Sequence, residues 1–160
     1  MPVHTPASQL EGFLARYSPD VVKVARQALR LLRPHLRGSF ELVYDNYNAL
    51  AIGFSPTDRA SDVIVSLALY PRWVSLFFMR GATLSDPNGL LRGSGRQVRH
   101  VKLEPVGILQ SPPMRSLLRH AIERSPKPLD PSAKRKLIIK SISSTLRPRR
   151  PAGNSVKRRG

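Results

Sequence analysis

"SFELVYDNYNALAIGFSP", residues Ser39–Pro56, decides the fold class of this chain. Phe40, Leu42 and Tyr44 alternate, Asp45-Asn46 interrupts, and Leu50, Ile52 and Phe54 resume the alternation. That period of two around a short polar break is the signature of a β-hairpin.

Working outward toward the C-terminus, "SDVIVSLALYPRWVSLFFMRG" (61–81) reads as a second hairpin. Val63, Val65, Leu67 and Leu69 alternate, Pro71-Arg72 turns, and Trp73 to Met79 returns as an apolar strand. After a Gly-rich loop, "RQVRHVKLE" (96–104) supplies a fifth strand. Toward the N-terminus the period changes to 3.6. Leu10, Phe13, Leu14 and Tyr17 mark one amphipathic helix. Ser18-Pro19-Asp20 then opens a second, whose apolar face is Val22, Ala25, Leu29, Leu32 and Leu36 and which stops at Gly38. Ser111 caps a helix bearing Met114, Leu117, Leu118, Ala121 and Ile122, and the spacing of Leu137, Ile138 and Ile142 predicts a last helix over about 131–146. The expectation is an α+β domain: an antiparallel sheet of about five strands with helices from both chain ends packed on one face. It divides as a domain over 8–125, a helical extension over 126–146 and a disordered basic tail over 147–160.

Charge sets the function classes. The 160 residues hold 27 Lys and Arg against 10 Asp and Glu, a formal net charge of +17, of which residues 134–160 contribute +10 with no acid at all. Such a chain attracts polyanions by counterion release. Arg26, Arg30, Arg33 and Arg37 fall three or four apart on the second helix and form a basic stripe. Arg147, Arg149, Arg150, Lys157, Arg158 and Arg159 lie in the tail, where too little apolar content offsets the entropy of ordering. These ten residues are the candidate polyanion-binding set, with nucleic acid or an acidic protein surface as partner; the plainer alternative is a tail that only solubilises. The absence of cysteine excludes disulfides, thiolate metal sites and a cysteine nucleophile. No leader pattern or membrane-span-length apolar run is visible, so a cytoplasmic location without a membrane partner is expected.

The loop between the fourth and fifth strands, "MRGATLSDPNGLLRGSGRQVRHVKL" (79–103), lacks the Gly-x-x-x-x-Gly-Lys-Ser/Thr of a phosphate-binding loop and is followed by a strand, not a helix. Gly93-Ser94-Gly95 is not a nucleophile elbow. Asp86-Pro87-Asn88-Gly89 has the composition of a β-turn, and Gly93 or Gly95 suits positive φ. Beside this structural reading stands a ligand reading, in which Asp86, Arg92, Arg96, Arg99 and Lys102 surround a small anion held by turn N–H groups. Tyr70, Arg72 and Trp73 at the hairpin tip either cap the sheet or stack a base. No catalytic residue, metal ligand or cofactor is nominated.

Phe77-Phe78, Gly81-Ala82, Leu84, Asp86-Pro87, Gly89-Leu90-Leu91, Gly93, Gly95-Arg96, Arg99 and Lys102, taken in order, resemble the YdhG-like family of domains of unknown function. The likeness extends over roughly residues 8–125. It implies a small α+β domain with a sheet of about five strands and no settled activity, although part of the family carries a frataxin-like iron-delivery label. Iron would require clustered oxygen ligands. Asp58 with Asp62, and Glu41 with Asp45, are the pairs available for that alternative, in a chain whose charge repels cations.

Overall fold

The computed structural model describes residues 5–152. Three α-helices, α1 (Pro6–Leu14), α2 (Pro19–Leu32) and α3 (Pro112–Glu123), accompany six strands: β1 (Phe40–Asp45), β2 (Leu50–Ser55), β3 (Val65–Leu69), β4 (Val74–Phe78), β5 (Arg99–Lys102) and β6 (Lys136–Ile142). The helix starts follow their sequence signals. Thr5 and Ser111 accept hydrogen bonds from the Ser8 and Met114 amides, and Pro occupies the first turn of all three helices. Ser18 takes the N-cap position of α2 without a side-chain cap bond, and Val21 rather than Val22 is the buried residue of its first turn.

The strand order is β5-β4-β3-β2-β1-β6. Neighbours pair antiparallel from β1 to β5, whereas β6 pairs parallel to β1, with Phe40 opposite Lys136 and an irregularity after Val43. The sheet is therefore mixed and six-stranded, and the helix expected over 131–146 is corrected to a strand. Leu137, Ile138 and Ile139 are consecutive, two of them β-branched, and such a run suits a pleated ladder better than a helix. The free edge of β1 supplies the ladder. The return to β6 passes so close to Gly38 that a Cβ there would collide with the Asp130 carbonyl oxygen, and Gly38 also has φ +82°, so this crossing admits only glycine.

Register assigns the faces. Val43, Ile52, Leu67, Leu76 and Val101 lie opposite one another in turn and, with Leu50, Phe54, Leu69 and Phe78, meet Leu14, Ala25, Leu29, Leu32, Leu117 and Leu118 from the helices in one core. Tyr17, just after α1, fastens the layers: its hydroxyl donates to the Leu69 carbonyl and accepts from the Leu50 amide, both at 3.1 Å. Helices thus cover one face and leave the other without a helix among the described residues. No described helix is long and apolar enough to cross a membrane.

Candidate polyanion-binding groove

The helix expected to run to Gly38 ends as an α-helix at Leu32 and continues as a short 3-10 turn over Arg33–His35, containing Pro34, so Arg26 and Arg30 lie on α2 and Arg33 and Arg37 beyond its end. All four line one groove of about 790 Å³ between α1 and α2, floored by Leu10, Leu14 and Leu29. Two are already engaged. Arg26 grips Glu11 through both terminal nitrogens at 3.0 and 2.6 Å, and this guanidinium holds the Glu11 carboxyl below its usual range. Arg33 forms a second fork on Glu41 at 2.9 and 3.0 Å. Arg30 and Arg37 are exposed, and neither has a hydrogen bond or ion pair among the described residues. The stripe therefore combines two structural and two free guanidinium groups.

The C-terminal arginines differ most from expectation. Arg149 is buried, with its Nη2 donating to Asp45 at 2.8 Å and to the Asn46 carbonyl at 2.6 Å, and its guanidinium lies 5.5 Å from the Tyr17 ring centroid. Arg147 donates to Asn48, and Arg150 donates to the Arg16 and Ala15 carbonyls. Residues 147–152 are thus an ordered strap, not a disordered arm, and Arg149 is withdrawn from solvent by its own counterion. Lys157, Arg158 and Arg159 lie outside the described residues.

Glu41 and Asp45 explain the strap. Both project from β1 into the helix-covered side and are about 1% exposed. Arg33 and Arg135 meet Glu41, while Arg16 and Arg149 meet Asp45. A buried carboxylate requires such partners. Because Arg135 precedes β6 and Arg149 follows it, the two acids clamp β6 to β1 at both ends. The pair considered as iron ligands is consumed by guanidinium groups. Asp62 of the other pair accepts from Thr57 and Lys127, which lower its pKa. No group of three or more His, Cys, Asp or Glu residues suited to a metal ion occurs among the described residues.

In the loop, Asp86 forms the turn expected of it and does more. The Gly89 amide donates to its carbonyl, and its two carboxylate oxygens accept from the Leu90 and Leu91 amides, each at 2.9 Å. The N–H cradle offered to a small anion is filled by the chain's own carboxylate. Arg92 donates to the Gly89 carbonyl and Arg99 to the Gly95 and Val98 carbonyls, so both brace the loop; Gly89 and Gly93 take the positive φ values. Lys102 stands 3.6 Å from Glu104. Arg96 alone of the five residues is without a polar partner among the described residues. Four of the five thus have partners within the chain.

Reading along the sequence does not identify Glu41 and Asp45 as anchors, although a signal for them exists. They sit two residues either side of Val43, so on a strand they share its inward face. No protein-family model, curated protein or solved structure matches the chain.

Proposed function

We propose that this chain is a noncatalytic polyanion-binding domain of YdhG-like architecture, and that the α1–α2 groove is its contact surface. One observation carries the reading: the acids nearest the groove are already engaged within the chain, while two of its guanidinium groups are not. Glu41 and Asp45 are buried under arginines, Glu11 is tied to Arg26, and Asp86 and Asp130 serve turn N–H groups. Arg30 and Arg37 stand on an open rim with no counterion among the described residues. Guanidinium forks of that kind suit phosphate or carboxylate oxygens.

The test is a salt titration of a fluorescent duplex oligonucleotide with the full chain and with the Arg30→Gln/Arg37→Gln variant. If the groove holds the duplex, the variant binds more weakly and its salt slope is shallower by about two, one for each arginine withdrawn from a phosphate. Identical slopes would place the binding elsewhere. A chain ending at Ala152 removes Lys157, Arg158 and Arg159 without disturbing Arg149, and so separates the tail's contribution from that of the groove.

A further inference from the structure

The helix-free face of the sheet has a composition of its own. Register places Tyr44, Ala51, Ala68, Ser75 and Lys102 in one row across it and Leu42, Gly53, Ser66, Phe77 and His100 in the next. Small side chains thus occupy the middle and rings flank them. The result is a trough of about 490 Å³ with Ala51, Ser66 and Ala68 on its floor and Tyr47, Tyr70 and Phe77 on its walls. That volume lies in the range of small-ligand sites, and a floor of methyl and hydroxymethyl groups lets a flat ring descend to the sheet.

The rings come in pairs. Phe77 and His100 are 5.1 Å apart and tilted by 32°, and Tyr70 and Trp73 are stacked at 5.0 Å. Trp73 and Phe77 are four positions apart, or about 13 Å of extended chain; Phe77 lines the trough and Trp73 stands outside it at the sheet's rim, near Val21 and Val24 of α2, which makes two distinct stacking stations. Cations stand at both ends. Lys102 Nζ lies 5.0 Å from the Trp73 ring, and the Arg147 guanidinium lies 6.0 Å from the Tyr47 ring, where it also reaches Asn48. Tyr47 is half exposed to solvent. Rings that accept any π-face, with positive charge beside them, are the recognition chemistry of unpaired bases on a phosphate chain. A duplex hides its base faces and cannot use them.

We infer that this open face binds single-stranded nucleic acid, stacking bases on Phe77 and on the Tyr70–Trp73 pair with phosphates at Lys102 and Arg147. The inference rests on the polyanion reading above and adds a second contact surface to it. Trp73 is the single tryptophan of the chain, so its fluorescence reports directly on one station.

The experiment titrates the full chain with a single-stranded RNA oligonucleotide, an abasic strand of equal length and a duplex. The expected result is quenching of Trp73 by the RNA and not by the abasic strand or the duplex. Phe77→Ala should weaken RNA binding roughly 5- to 150-fold, the range for removal of one base stack, and leave duplex affinity unchanged. Tyr47→Ala, at an exposed position, should weaken it in the same sense without burdening the fold. Equal affinity for RNA and abasic strand, without quenching, would overturn the inference while the duplex titration still supported the α1–α2 groove. Absence of binding by every strand at low salt would overturn both.

Discussion

The loop over 79–103 and the C-terminal segment over 134–152, which holds β6 and the strap, are both rich in arginine, and they use it in opposite ways. In the loop, Arg92 and Arg99 bond to carbonyls within a few residues, and Asp86 neutralises its own turn. In the C-terminal segment, Arg135 and Arg149 reach back to Glu41 and Asp45 on β1. Local sequence contains the first set of partners and not the second. A run of like charge therefore carries no information about whether those charges are free; that depends on where the fold has placed its few acids.

The contrast is sharpest at Asp45. Asp45→Ala leaves Arg149 buried without a counterion and should cost about 3–5 kcal/mol, the penalty for breaking a buried pair, measured by urea unfolding. If the destabilisation were near that of an exposed pair, the strap would not be anchored there.

A smaller effect comes from Tyr17, beneath Arg149. Burial pushes its phenol up from 10.0 to about 12, against the pull of the Arg149 guanidinium. The unfolded chain therefore releases this proton first. The contribution to stability is complete below pH 10 and is lost as pH rises from about 10 to about 12, amounting to about 2–3 kcal/mol. Denaturant midpoints across that window should fall, and Tyr17→Phe should flatten the fall.

The loop supplies the weakest perturbation. Asp86→Ala deprives the Leu90 and Leu91 amides of their acceptor and should cost about 1–2 kcal/mol, with faster hydrogen exchange at those two amides. Arg96→Gln, which breaks no hydrogen bond, should change stability by less than about 0.5 kcal/mol. A large effect of Arg96→Gln would instead mark it as bound within the loop.

The same contrast explains what can be read from sequence. Both hairpins, the Ser111 cap and the Asp86 turn follow from periodicities and turn residues within some ten positions, and each has its expected place. β6 is ambiguous because Leu137, Ile138 and Ile142 fit a helical spacing as well as a strand, and only the free edge of β1 decides between them. The basic stripe that begins on α2 is legible as a line of arginines. That Arg26 and Arg33 are engaged and Arg30 and Arg37 are not depends on Glu11 and Glu41, whose positions come from tertiary structure.

The parallel pairing of β1 with the last strand bears on how the chain matures. Ribosomes add roughly 5–20 residues per second, so roughly 5–20 s separate the synthesis of Asp45 from that of Arg149. Through that interval the first five strands can form their local hairpins, but the outer edge of β1 has no neighbour. Glu41 and Asp45 then have only Arg33 and Arg16, and lack the two arginines that follow later. Until Arg135 and Arg149 follow, each acid has only one of its two guanidinium partners, so the addition of β6 to the edge of β1 and the full pairing of both acids come together as one late step.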